Sequence, residues 1–401
     1  MKIKFKLFVA LLTSFYLSSC SNDEIVADNF LSYNVDITYP DAYGNVVASG
    51  VEVQLKNLNT NRVLKVTTDS NGRANFEKII PGNYTIIANK NLSANESEII
   101  TGISSEAYLN ASVAQVQILE TGLTKIKLDG GAVGDWVIKE FYYSGAPNSY
   151  YFYDSYIEIY NNSTETMYAD GLLFGSTKSV TASASSFYGF VTQGYQDAFL
   201  SYVFRIPGSG NEYPVEAGQS IVIAIDAIDH KTDPNGNANS PVNLGKGIAD
   251  FEVYYYVNPK APDTDNPDVP NVEIIYASST SLFDYLPGVM GSGLVIFKSD
   301  KSEELERMTE PNTTSSLQYV RVPRENVIDA LDAAAKTSMP LETKRLPTVL
   351  DAGINSVGKS YSGTSLRRKI KQEINGRKVL LDTNNSSNDF EINQKPNPKG
   401  W

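Results

Sequence analysis

Residues 68–86 read Thr68-Asp69-Ser70-Asn71-Gly72-Arg73-Ala74-Asn75-Phe76-Glu77-Lys78-Ile79-Ile80-Pro81-Gly82-Asn83-Tyr84-Thr85-Ile86. Asn71-Gly72 can take the positive φ angles of a tight hairpin, and Pro81-Gly82 sets up a turn before the next extended run. Working outward, Val35, Ile37 and Tyr39 alternate with polar residues, as do Val51, Val53 and Leu55, then Val63 with Leu64 and Val66. Turn-forming stretches at 41–44, 57–61 and 69–72 separate these runs. Short period-two runs punctuated in this way predict a small antiparallel β-sandwich over residues 32–128.

The order of a turn glycine, an aromatic and Pro-Gly-x-Tyr entering a strand resembles the carboxypeptidase-regulatory-like and Cna-B-like sandwich domains. Gly72, Phe76, Pro81, Gly82 and Tyr84 fill those places. The resemblance implies a stalk or spacer without catalytic residues. Some such domains carry Lys-Asn isopeptide cross-links, but no acid, Lys and Asn here have spacing that supports one.

Residues 133–401 form a second module. Val137 to Tyr143 reads as a strand, and Asp154 to Asn162 as another in which Ile157 and Ile159 alternate with Tyr156, Glu158 and Tyr160. The isoleucines are expected to face a core, with Glu158 facing out or pairing across the sheet. Met167 to Leu172 follows the turn at 161–163, and further strands are expected at 202–206, 220–226, 250–257, 272–276 and 293–297. A β-sandwich with long decorated loops fits this spacing. Asn258 to Asn271 is a long loop rich in Pro and Asp, and Arg324 to Lys336 has helical spacing at Val327, Ile328 and Leu331, predicting one short helix packed over a sheet. The fold class expected is therefore all-β: two tandem β-sandwich domains, immunoglobulin-like or prealbumin-like, the second elaborated with long loops and that helix.

The runs Ile-Lys-Glu-Phe-Tyr-Tyr from Ile138, Tyr-Ile-Glu-Ile-Tyr-Asn-Asn from Tyr156, Ala-Asp-Gly-Leu from Ala169 and Glu-Ala-Gly-Gln-Ser-Ile-Val-Ile from Glu216 resemble the lamin-tail type of immunoglobulin-like domain. Together with the ending from Leu366 through Pro398, the module is similar to a family of uncharacterised lipoproteins from Gram-negative gut anaerobes. That family pairs a lamin-tail-like domain with a preceding sandwich and brings no known activity.

The N-terminus carries the strongest functional signal. Lys2, Lys4 and Lys6 precede an apolar run from Leu7 to Leu17, too short to span a bilayer, where roughly 20 apolar residues are needed. Residues 1–19 therefore read as a signal peptide, and Leu17-Ser18-Ser19-Cys20 resembles a lipobox, whose cysteine would take a diacylglycerol. Cys20 is the only cysteine in the chain, so no intramolecular disulfide can form. Residues 20–31 then serve as a lipid-anchored linker to a membrane, expected to be the outer membrane. Asp23 and Glu24 look like an acidic tag for the outer leaflet, and they equally suit a solvated leader with no address.

The formal net charge is −12, and loss of the three N-terminal lysines makes the mature chain more acidic still. Such a chain repels phosphate backbones, so nucleic acid is not an expected partner. With one histidine, His230, and one committed cysteine, zinc sites built on His and Cys are excluded by number, and no metal or cofactor is expected. Asp226, Asp229, Asp233, Asn235, Asn237 and Asn239 resemble a calcium loop loosely, without the closing bidentate acid, and read as a solvated loop. The basic run Arg367 to Lys371 reads as internal charge pairing.

Twenty-five tyrosines stand out, most densely at Tyr142, Tyr143, Tyr150, Tyr151, Phe152, Tyr153 and Tyr156, with Tyr254 to Tyr256 forming a second group. Consecutive strand residues face opposite ways, so some of these are expected to be exposed. Tyr150, Tyr151, Phe152 and Tyr153 lie in a loop and are the candidate ligand-binding residues, suited to sugar stacking or a protein partner. The leading functional expectation is a non-catalytic, membrane-anchored binding or scaffolding module serving adhesion or accessory to an outer-membrane transporter. The alternative is a carboxylate-based hydrolase such as a glycosidase, which needs two acids about 5 to 9.5 Å apart in one cleft. Glu140 and Glu158 are the first pair to test against that requirement.

Overall fold

The computed structural model describes residues 30–40, 43, 46–101, 106–132, 135–163, 165–179, 188–261, 263–334, 344–374 and 376–401. The expected signal peptide, Cys20, Asp23 and Glu24 lie outside the described residues. Among the described residues no helix is long and apolar enough to cross a membrane.

The first module stacks two sheets. One runs Arg73–Ile79, Leu31–Thr38, Gly122–Lys127, and the other runs Val63–Thr67, Glu52–Asn57, Gly82–Leu92, Ala107–Ile118, Asp129–Ala132. Val35, Ile37, Val53, Leu55, Phe76 and Ile86 meet between them, each almost fully excluded from solvent. Period-two alternation places one set of side chains inward on every strand, and burying such residues contributes about 1.5 to 3 kcal/mol each.

Two details depart from a simple antiparallel sandwich. Leu31–Thr38 pairs in parallel with Gly122–Lys127, from Tyr33 opposite Gly122 to Thr38 opposite Lys127. The turn at Asn71-Gly72 closes no hairpin, because the strands on its two sides belong to opposite sheets. Thr68 redirects the chain there: its hydroxyl accepts from Val51 N at 2.9 Å and donates to the Ala48 carbonyl at 2.7 Å. Gly72 sits at φ +72°, and a Cβ on it would lie 2.6 Å from the Ile37 carbonyl oxygen, so only glycine fits this crossing point.

In the second module two six-stranded sheets face each other. The first runs Phe251–Glu252, Ser220–Ala224, Tyr156–Asn161, Trp136–Tyr142, Ser365–Arg368, Phe390–Asn393. The second runs Glu273–Ala277, Tyr202–Arg205, Leu173–Ser176, Gly293–Phe297, Val327–Ala334, Asn355–Ser356. Ile138, Ile157, Ile159 and Ile223 of the first pack against Phe174, Phe204, Ile296 and Leu331 of the second. The all-β, multi-sheet architecture agrees with the fold class expected.

Its decoration differs from expectation at three places. Arg324 to Lys336 is not a helix: after a single 3-10 turn at Arg324–Asn326 the chain forms the strand Val327–Ala334, paired with Gly293–Phe297 (residues 335 and 336 lie outside the described residues). The Ala and Asp content concealed it, because Asp329 and Asp332 are core residues here. Asp332 accepts backbone N–H groups of Arg345 and Leu346 at 2.8 and 2.9 Å, and Asp329 binds the buried Arg368. Tertiary pairing thus overrides helical spacing. Among the described residues the α-helices of this module are instead the single turns Gly189–Thr192 and Ser386–Asp389.

The strand expected over 250–257 shrinks to Phe251–Glu252. Beyond it a side chain replaces the ladder, with Tyr255 N donating to Asp263 Oδ2 at 3.1 Å.

Tyr142, Tyr143 and Tyr156, some of which were expected at the surface, are all buried. The outer face of the first sheet is covered by loop residues Ala227, Val242, Leu244, Ala249 and Val269, which pack on Tyr142, Tyr156, Val222 and Ala224. A sheet covered on both faces hides alternate residues of either kind.

Candidate functional site

The loop from Ser144 to Asp154 is folded back on itself by its own backbone. Ala146 N donates to the Tyr151 carbonyl at 2.8 Å, and Gly145, at φ +77°, leaves no room for a Cβ, which would lie 2.7 Å from that same oxygen. Gly363 N donates to the Gly145 carbonyl at 3.0 Å, which seats Tyr361 beside the loop. Tyr361 has φ +52°, an uncommon conformation for an aromatic residue.

The four candidate rings are brought together in this loop. Tyr150 is 86 % exposed, while Tyr151, Phe152 and Tyr153 are half-buried. Tyr150 meets Tyr361 edge-on at 5.4 Å between centroids, Phe152 stacks on Tyr153 at 4.9 Å, and Tyr153 lies 6.3 Å from Phe283, itself 46 % exposed. Phe152 also lies 6.5 Å from Tyr361, so the rings form one continuous group to which Phe283 and Tyr361 contribute from distant segments. Tyr254 and Tyr256 form a separate pair at 5.8 Å, and Tyr255 between them is buried.

His230 is fully buried and supports the loop from below. Its Nδ1 is 2.7 Å from the Tyr151 hydroxyl and its Nε2 is 3.0 Å from the Asp226 carbonyl oxygen. A carbonyl only accepts, so Nε2 carries the proton and Nδ1 accepts from tyrosine. Burial pushes the imidazole down to about 4, so the ring stays neutral at physiological pH. Both nitrogens are occupied in holding the loop.

Beside the rings lies a group of acids. Carboxylate oxygens of Asp226, Asp263 and Asp284 all fall within 4.8 Å of one another. They arrive from three segments: the end of the strand Ser220–Ala224, the Pro- and Asp-rich loop, and the stretch after Glu273–Ala277. Glu252 ties the first two together, its carboxylate accepting from Ala227 N at 2.6 Å and Asn266 N at 2.8 Å. Burial pushes Glu252 up to about 7. The Tyr255 hydroxyl donates to the Ser279 carbonyl at 2.7 Å and Asn258 Nδ2 to the Ser281 carbonyl at 3.0 Å, which joins the third segment. Burial first, then the acids Asp284, Asp226 and Asp263, hold the Tyr153 phenol above its ordinary range, so the cluster's field reaches the aromatic surface.

Of the six residues in the loose calcium-loop pattern, only Asp226 joins this cluster. Asp229 accepts from Lys231 N and the Thr232 hydroxyl, Asp233 from Asn235 N, and Asn237 from Asn239 N, all within local turns. Asp263 and Asp284 are far from Asp226 in sequence and carried no motif. The Pro- and Asp-rich composition of the loop was the one available hint for Asp263.

Glu140 and Glu158 face each other across adjacent strands but open on no cleft. A bulge leaves Lys139 as an extra residue between Glu140 and Ile138 on their strand, and its Nζ lies 2.8 Å from Glu158 Oε1. Glu140 is held by Arg367 at 2.9 Å and by Asn393 and Ser365. Both carboxylates are fully buried. The pair lacks the open, water-accessible geometry that glycoside hydrolysis requires. Three members of the basic run are in ion pairs, Arg367 with Glu140, Arg368 with Asp329 and Lys371 with Glu106 of the first module, while Lys369 donates to the Asn388 carbonyl.

Residues 216–397 match the family model described as Protein of unknown function (DUF4876), and residues 43–107 match the second beta sandwich domain of the BOS complex subunit NOMO1-like proteins. A DUF4876 family protein from Bacteroides thetaiotaomicron of known crystal structure is 28 % identical, with 91 % of this chain and 96 % of that chain covered and a TM-score of 0.58. A "putative adhesin" from Bacteroides ovatus (13 % identity, 43 % of this chain and 60 % of that chain, TM-score 0.18) and fervidolysin from Fervidobacterium pennivorans (13 %, 49 % and 25 %, 0.19) are too distant in shape to inform the fold. No curated protein matches the chain. The resemblance read from the sequence, to an uncharacterised family from Gram-negative gut anaerobes with sandwich domains, agrees with these matches.

Proposed function

We propose that this protein is a non-catalytic binding module, anchored to the bacterial outer membrane through lipid on Cys20, that takes a carbohydrate ligand on the aromatic surface of Tyr150, Phe152, Tyr153, Phe283 and Tyr361. The observation that carries the reading is that surface itself. Exposed and half-buried rings, each within 4.9 to 6.5 Å of a neighbour, are held by a loop that spends Gly145, a left-handed Tyr361 and a buried histidine on their placement. Flat rings with hydroxyl edges stack on the apolar faces of sugars and hydrogen-bond their rims. The acids nearby favour a neutral or cationic ligand over an anionic one. With Glu140 and Glu158 locked in ion pairs, the hydrolase alternative has no acid pair to act with at that position.

The test is a glycan array probed with the wild-type chain and with Tyr150→Ala and Phe152→Ala. Tyr150 is so exposed that its truncation leaves the fold intact, and loss of a stacking ring is expected to weaken binding by roughly tenfold. Unchanged binding in both variants, or binding confined to a protein array, refutes the sugar-stacking surface. Cys20→Ser is expected to move the protein from the membrane fraction to the soluble fraction, and retention on membranes would refute the anchor.

A further inference from the structure

Three carboxylates from separate segments converge, and among the described residues no cation pairs with them. Asp284 is 2 % exposed, and its Oδ1 accepts no hydrogen bond among the described residues; the same holds for the buried Oδ1 of Asp226. An orphaned carboxylate oxygen in such a place is destabilising unless a proton or a cation satisfies it. The charged groups that act on Asp226 are Asp263, Glu252 and Asp154, and those that act on Asp284 are Asp226, Asp263 and Glu252, all of them acids. Elsewhere in the module a buried acid cluster has a cation at its centre, Arg368 among Asp329, Asp382 and Asp389. Among the described residues no lysine or arginine pairs in this way with Asp226, Asp263 or Asp284.

We propose that Asp226, Asp263 and Asp284 bind a calcium ion that pins together the three loops under the aromatic surface. Calcium takes oxygen ligands at about 2.3 to 2.6 Å, so two oxygens on one ion stand at most about 5 Å apart. The 4.8 Å limit on this cluster satisfies that bound for all three pairs. Three separate carboxylates, with backbone carbonyls or water completing the shell, suit the flexible, high coordination number of calcium; the smaller magnesium ion keeps most of its water and demands a tight octahedron. Soft-metal ligands are absent, since the only cysteine is at position 20 and His230 is occupied on both nitrogens. Asp284 follows Phe283 directly, so ordering the cluster orders one ring of the aromatic surface. The inference stands whatever that surface binds.

The experiment uses the full chain, purified in detergent and stripped with chelator. Thermal unfolding and titration calorimetry are followed as calcium chloride is added, with terbium as a luminescent probe excited through tyrosine. Calcium at about a hundred times its dissociation constant is expected to raise the melting temperature by about 5 °C and to displace terbium emission. Asp284→Asn is expected to abolish both responses, and Asp263→Asn, at a less buried position, to weaken calcium affinity at least tenfold should the first variant fail to fold. No saturable heat and no melting shift with calcium up to about 10 mM, tenfold above the weakest extracellular calcium modules, overturns the site. An equal response in both variants, or a response to magnesium in place of calcium, overturns it as well.

Discussion

Replacing Arg368 by methionine removes the cation that holds four parts of the second module together. The guanidinium is fully buried, with Nη2 2.5 Å from Asp329 and Nη1 3.3 Å from Asp382 and 3.6 Å from Asp389. Its Nε donates to the Ile138 carbonyl at 2.8 Å, and its Cζ lies 4.5 Å from the centroid of the Phe390 ring. Strands Trp136–Tyr142, Val327–Ala334 and Ser365–Arg368 and the loop at 381–389 therefore share one side chain. Methionine keeps most of the volume, so the loss is electrostatic: breaking a buried pair from one side costs about 3 to 5 kcal/mol. Burial pushes Asp329 and Asp389 up, against the pull of Arg368. Acids with raised folded pKa values stabilise the fold fully below the ordinary carboxylate range and lose that contribution as pH rises through the folded value. Without Arg368 both values rise further, so the variant's deficit grows with pH. Urea unfolding followed by fluorescence of the buried Trp136 is expected to show a loss of about 4 kcal/mol at pH 8 and less than half of it at pH 5. A loss under 1 kcal/mol, or one that is the same at both pH values, refutes the reasoning.

Gly72→Ala combines left-handed strain with a clash on the Ile37 carbonyl and is expected to cost more than about 2 kcal/mol. Gly171→Ala, at the same φ of +72° with no atom within 4 Å, isolates the strain at about 1 kcal/mol, and equal losses in urea would refute the clash. His230 stays neutral when folded down to about pH 4 but protonates near 6.5 when unfolded, so stability falls as pH falls through that interval, by roughly 3 kcal/mol. His230→Gln is expected to flatten that part of the acid limb, and an unchanged limb counts against the assigned tautomer and burial. Lys139→Met leaves Glu158 buried beside Ser220 and without its cation, at a cost of about 3 to 5 kcal/mol, and adding Glu158→Gln is expected to recover more than half of it in the same urea assay.

Alternation and turn chemistry made the sandwiches legible because a strand with one inward face must repeat every second residue, and Val35, Ile37, Val53 and Leu55 do so. The loop of Tyr150 to Tyr153 was legible for the same reason, lying between the two runs Val137 to Tyr143 and Asp154 to Asn162. The strand Val327–Ala334 was not, because its two aspartates are inward residues satisfied by partners at 345, 346 and 368, and no local pattern announces partners that far away. Burial of Tyr142 and Tyr156 escaped the alternation rule because a second layer from residues 227–269 covers the outer face.

The sequence by itself determined the β class, the two-module order, the acidic surface and the residues available for chemistry, all properties of local periodicity and composition. Tertiary structure alone decided which acids become neighbours. Glu140 and Glu158, adjacent on paper, were neutralised by Lys139 and Arg367, while Asp226, Asp263 and Asp284 were gathered from three loops into one uncompensated cluster. Charge is counted along a chain, but it is balanced or left unbalanced only in space, where a Coulomb interaction depends on distance and burial and takes no account of position in sequence.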